Sequence, residues 1–196
     1  MKDSNKELRL LDSAFELFTK KGFKNTSIQD IVDNSKVAKG TFYTYFKDKY
    51  ELRDILIAKK SNNLFQSALK KLNKHKEITN LEDQVVFIIN DIIDKLRKDK
   101  VLLTFISKNL SWGLYNKAIN SAYQLNNEME NGIREYFIKA IENQNIKLEN
   151  PDVTLYMIIE LVSSTCFNSI SLNEPLPIEE FKPYLYKVIR TLLNEN

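Results

Sequence analysis

Cysteine and histidine occur once each, and glycine and proline four times each, in a chain of 196 residues. Each scarcity closes off a class of protein. A single thiol, Cys166, forms no intrachain disulfide, which suits a reducing cytoplasm. Glycine and proline punctuate loops and interrupt helices, so their rarity predicts long helices on short connections. The one histidine, His75, sits in the run Lys70-Lys71-Leu72-Asn73-Lys74-His75-Lys76, a poor setting for a catalytic base or a metal ligand. The sequence has no phosphate loop, dinucleotide fingerprint or metal-ligand cluster. No apolar run approaches the ~18 residues of a membrane span. The opening MKDSNKELRLLDSAF has neither an uninterrupted apolar core nor a small-residue cleavage site. The expectation is a cytoplasmic protein that is not an enzyme and uses no metal, cofactor or membrane, with an all-α enzyme as the alternative from another class.

What is present is a series of helix-start signals in a composition, 43% hydrophobic and 28% charged, typical of a globular chain. Ser4 with Glu7, Thr26 with Gln29, and Asp48 with Glu51 each set a capping side chain three residues ahead of an acid or amide. The first opens a helix striped by Leu10, Ala14, Leu17 and Phe18, which Gly22 ends. The spacing then predicts a short helix over 27–34 with Ile28, Ile31 and Val32 inward, a tight turn at Ser35-Lys36, and a third helix over 38–45. A fourth helix follows from about residue 48 to 71, before a charge-rich connection. Asn80 with Asp83 caps a fifth, striped by Leu81, Val85, Ile88, Ile89, Ile92 and Leu96. Residues 101–114 read as a buried helix and 115–144 as one long helix. Asn150-Pro151 opens another that reaches about Leu172, and residues 179–194 form the last. With no strand-period segment and no repeat, the fold class is all-α. A three-helix helix-turn-helix head (1–48) precedes a larger helical body (49–196), into which the fourth helix leads.

The net charge of +3 is unevenly placed. Residues 1–50 hold ten of the 29 basic and seven of the 26 acidic residues, so the remaining nineteen of each cancel and the whole positive excess lies in the N-terminal quarter. A local basic surface suits a polyanion. A tight turn between a second and a third short helix is also how helix-turn-helix proteins send the third helix into the major groove, although an ordinary three-helix bundle has the same helix count.

The residue detail separates these two. Val37-Ala38-Lys39-Gly40-Thr41-Phe42-Tyr43-Thr44-Tyr45-Phe46-Lys47-Asp48-Lys49-Tyr50-Glu51-Leu52 resembles the signature of the TetR/AcrR family of transcriptional regulators, as do Ala14-Phe15-Glu16-Leu17-Phe18, Gly22-Phe23 and Thr26-Ser27-Ile28-Gln29-Asp30-Ile31. The likeness covers residues 10–55. Within it, Gly40 lacks a side chain at the start of the reading helix, which lets backbone approach DNA closely or relieves crowding against a neighbouring helix. Lys39 can neutralise a phosphate, and Thr41 and Thr44 offer hydroxyls and methyls to phosphate, base edge or thymine. Tyr43 is placed to reach backbone oxygens; Tyr45 either does the same or packs on the fourth helix. Phe42 and Phe46 are core. The resemblance makes Lys49 a phosphate contact, in a first helical turn that already favours anions. Thr26 caps the second helix near a flanking phosphate, and Lys36 in the turn is a further candidate.

The resemblance further implies a homodimer through the last two helices, a double-stranded DNA operator that is nearly palindromic, and a small hydrophobic or aromatic effector held in the body to release a repressor. Candidate pocket residues are the body aromatics Phe105, Trp112, Tyr115, Tyr123, Phe137 and Tyr156 with Glu160, a carboxylate inside an apolar run. Plain core packing explains the aromatics equally, and a solvent-facing position explains Glu160. A regulator that works through protein partners instead of a ligand is the alternative within the same class.

Overall fold

In a computed structural model the described residues are 4–107 and 132–194, and among them every regular element is helical. The head consists of α1 (Ser4–Lys21), α2 (Ile28–Ser35) and α3 (Lys39–Tyr45). The body follows with α4 (Lys49–Leu72), α5 (Leu81–Lys98), α6 (Lys100–Ser107), α7 (Ile133–Asn143), α8 (Pro151–Ser171) and α9 (Ile178–Leu193). The all-α class and the division into a small head and a larger helical body agree with the sequence reading.

Local chemistry accounts for the boundaries. Gly22, at φ +84°, takes the left-handed position that ends α1. The cap of α2 is shifted by one residue from expectation. Ser27 accepts from the amide of Asp30, and Asp30 accepts from the amide of Ser27 at 2.7 Å, a reciprocal capping box. Thr26 does not cap; its Oγ1 donates back to the carbonyl of Gly22 at 2.9 Å. Asp48 caps α4 as expected, accepting from the amides of Tyr50 and Glu51, and Asn80 caps α5. Asn150 and Pro151 open α8. The long helix expected over 115–144 is not continuous: Gly132 adopts extended backbone and α7 starts after it. Glycine in a helix interior costs about 1 kcal/mol relative to alanine, so a break there is inexpensive.

Leu10, Leu11, Ala14 and Phe18 of α1 pack with Ile31, Val32, Val37, Phe42 and Phe46 to form the head core. That core runs without a break through α4 to Leu103, Phe105 and Ile106 of α6. A second core joins α5, α7, α8 and α9. Side chains also join head to body: Lys59 of α4 pairs with buried Glu7 at 2.8 Å, Lys60 lies 4.3 Å over the ring of Phe15, and Phe15 meets Phe105 edge-on at 5.2 Å. A polar seam crosses the other side of α5. Burial alone would raise the carboxyl of Asp91, but hydrogen bonds from Lys71 and Lys95 hold it below the usual carboxylate range. On the same helix Asp94 accepts from Lys182 of α9 at 2.6 Å.

By length and composition α8 is long and apolar enough to cross a membrane, which the sequence reading had not expected; Asp152 and Glu160 keep its apolar residues from forming one unbroken run. Only 33% of its most apolar stretch is buried. Val153, Met157 and Tyr156 of α8 stay exposed, as do Tyr184 and Val188 of α9.

Candidate nucleic-acid interface

The turn before α3 is built by hydrogen bonds from outside it. Lys36 stands at φ 54°, a left-handed position that few residues other than glycine adopt, and its amide bonds the carbonyls of Asp33 and Val32. Arg9, two turns into α1, donates from its guanidinium to the carbonyls of Ser35 and Lys36. Ser13 donates to the carbonyl of Ile31 at 3.0 Å. Val37 then inserts into the core, and α3 leaves in a direction fixed from both ends of the turn. Neither Arg9 nor Ser13 belongs to the reading segment, so sequence reasoning missed both. Their only signal is polarity on a helix whose neighbours at 10, 11 and 14 are buried.

On α3, Phe42 and Tyr45 face inward while Lys39, Gly40, Tyr43 and Thr44 are exposed, with Thr41 half-buried. Tyr45 is only 7% exposed, and its ring lies beside Phe46. A Cβ built at Gly40 meets nothing within 4 Å, and its φ is ordinary, so neither crowding nor backbone conformation inside the protein calls for glycine. Thr44 has its hydroxyl on the carbonyl of Thr41 at 2.7 Å, a bond that rotation of χ1 exchanges for an outside partner.

Thr26 is 1% exposed and its amide donates to the carbonyl of Phe23, so neither its side chain nor its N–H is open to a phosphate. Lys49 has more work than expected. Its Nζ donates to the carbonyls of Phe23 at 3.2 Å and Thr26 at 2.9 Å, and lies 4.7 Å over the ring of Phe23. It thus ties the α1–α2 turn to α4, leaving one of three N–H donors for a phosphate. Lys36, Lys39 and Lys47 are exposed, and among the described residues no ion pair engages them. The nearby carboxyl of Asp30 is held well below the carboxylate range by hydrogen bonds from the Ser27 hydroxyl, the Ser27 amide and Lys21.

The body contains an apolar cavity of about 140 Å³ between α4, α5, α7 and α8, also touched by α6. Of the expected pocket residues Phe137 lines it. Phe105 turns away to Phe15, while Tyr156, 40% exposed, and Glu160, partly exposed, are not among its lining residues. Trp112, Tyr115 and Tyr123 lie outside the described residues. The described lining is chiefly isoleucine, leucine and valine, with Phe65, Tyr136 and Phe167 beside Phe137 and the polar Ser61 and Asn62.

Residues 10–54 match the bacterial regulatory proteins of the tetR family. The chain is 26% identical over 180 residues, 87% of each chain, to the uncharacterised HTH-type transcriptional regulator YhgD of Bacillus subtilis. Its fold is similar to that of the fatty acid degradation regulator FadR from Bacillus halodurans, with a TM-score of 0.62 at 16% identity, covering 96% of this chain and 98% of that one. It is also similar to the regulator FadR from Bacillus subtilis in complex with stearoyl-CoA, with a TM-score of 0.59 at 16% identity and coverage of 95% and 97%.

Proposed function

Because the chain is a DNA-binding transcriptional regulator of the tetR family, we propose that it is a homodimeric repressor that leaves a near-palindromic operator when a small hydrophobic molecule fills its body. The observation that carries this is Gly40: an exposed helix holds a destabilising residue that nothing within the protein requires. The requirement then lies outside, where backbone meets DNA. Around it Lys39, Thr41, Tyr43, Thr44, Lys36 and the remaining donor of Lys49 supply cations and hydroxyls. The lysines and Tyr43 position the head on the DNA backbone, and the threonines supply the groups that read base edges.

A seven-residue reading helix offers too few contacts to bind alone. The exposed apolar residues of α8 and α9 are a self-complementary face for a second copy. A two-fold pair places its reading helices ~34–36 Å apart, one DNA turn. The apolar body cavity supports an effector of small size. To act, the ligand must favour the DNA-incompetent arrangement of the heads over the competent one. The site of action is the cytoplasm, where the operator is.

The test is selection of bound sites from a random duplex library at about 150 mM salt, because non-specific binding falls steeply with ionic strength. Two half-sites in inverted repeat are expected. Salt-sensitive retention of DNA with no enriched sequence would overturn the proposal.

A further inference from the structure

The described lining of the body cavity is apolar apart from a few side chains. Tyr136 uses its hydroxyl on Gln84 at 3.0 Å, Ser163 donates to the carbonyl of Glu160 at 3.2 Å, and burial pushes the Cys166 thiol up to about 12, keeping it neutral. That leaves Ser61 and Asn62, consecutive on α4. The Ser61 Oγ and the Asn62 Oδ1 are buried and have no hydrogen-bond partner among the described residues. Buried oxygens are almost always satisfied, so two adjacent exceptions opening on a cavity mark the place for a donor from outside. Among the described lining residues there is no lysine, arginine, histidine, aspartate or glutamate. Against these described residues a carboxylate or a phosphate would meet no cation and would face the Asn62 Oδ1, an arrangement penalised away from water. Size narrows the choice further. The volume of about 140 Å³ is close to the ~150 Å³ of an engineered apolar cavity that binds benzene.

We infer that the effector is a small uncharged molecule, about one aromatic ring in size, with a single hydroxyl that donates to the Asn62 Oδ1 and accepts from the Ser61 hydroxyl. This rests on the reading that a small molecule in the body works the switch. The position of the two oxygens suits that role. Lys59 and Lys60, the preceding residues on α4, hold Glu7 and Phe15 of α1. A ligand that grips 61–62 therefore pulls on the turn of α4 that carries the head.

The full chain is titrated calorimetrically with p-ethylphenol, its methyl ether p-ethylanisole, and p-ethylbenzoate. The phenol is expected to bind about tenfold tighter than the ether, the effect of one buried donor meeting a waiting acceptor. Asn62→Leu, and separately Ser61→Ala, should narrow that preference while retaining the wild-type thermal unfolding profile. Equal binding of phenol and ether, a preference for the benzoate, or no binding by any of the three overturns the inference. Operator affinity measured with the phenol bound addresses the parent reading separately. A phenol that binds through Asn62 yet leaves operator affinity unchanged refutes the effector switch and leaves the ligand assignment standing.

Discussion

The head and the body are both helical, yet they are held together in different ways. In the head, charged and hydroxyl side chains reach backbone carbonyls and amides: Arg9 to the α2–α3 turn, Lys49 to the α1–α2 turn, Asp48 and Ser27 to helix starts. Such bonds are directional, and together they fix α3 to within a narrow range. In the body, α5, α7, α8 and α9 meet through aliphatic faces that leave a cavity inside and apolar residues outside. Aliphatic contacts are non-directional and tolerate small shifts. The contrast teaches where precision is needed and where slack is. Reading a base edge requires fixed geometry; answering a ligand requires two packings of similar free energy.

Breaking the body's outer face should have the largest effect. Met157→Glu with Val188→Glu sets charges on residues that are 37% and 47% exposed; a monomer that keeps only half of the phosphate contacts should lose about a hundredfold or more in operator affinity. Sedimentation and gel shift together check this, and a charged variant that stays dimeric and binds DNA normally would show that the face lies elsewhere. Next comes Arg9→Ala. It removes two charge-assisted bonds to the turn and should cost about 1.5–3 kcal/mol of stability. Thermal unfolding should report that loss, and operator binding should fall even though Arg9 lies outside the reading helix. Gly40→Ala should separate the two demands on α3, stabilising its first turn by at most about 0.5 kcal/mol while weakening operator binding; a gain in both would mean that DNA does not approach there. Lys49→Ala should lower the slope of log affinity against log salt by roughly one unit if its third donor reaches phosphate. It should also lower the melting temperature through the lost carbonyl contacts, so an unchanged slope with a lowered melting point would make it purely a brace.

The smallest effect concerns Cys166. Its thiol is raised from the ordinary 9.0 to about 12 by burial. A raised folded value means that its contribution to stability is intact below pH 9.0 and is lost as pH rises towards about 12. Maleimide labelling at pH 8 should therefore be slow in the folded protein and fast after unfolding.

The same contrast decides what was legible in the sequence. The head announced itself because backbone-directed capping leaves residue-specific marks: Asp48 three before Glu51, Gly22 after an apolar stripe, Gly40 in a helix. Even there Thr26 and Ser27 were confused, since both are good caps and only geometry chooses between adjacent ones. Tyr45 was undecided because a tyrosine suits both water and core. The body left weaker marks. Aromatics drew attention to Phe105 and Tyr156, but one packs on the head and the other faces outward. The cavity is a gap between aliphatic faces from four helices, a property of their relative placement that no single segment encodes. Ser61 and Asn62 are two polar residues in a helix rich in them, and nothing local to α4 marks them as lining a cavity.

The edge-to-edge meeting of Phe15 and Phe105, with Lys59 and Lys60 beside it, bears on how such a protein is recombined. A chimera cut at residue 48 would carry the reading helix but abandon the partners of Phe15 and Glu7 to a foreign scaffold. Transplanting the code of this chain onto another requires a seam inside α4 beyond Lys60, together with an aromatic acceptor where Phe105 stands. Without them the graft has its alphabet and lacks its hinge.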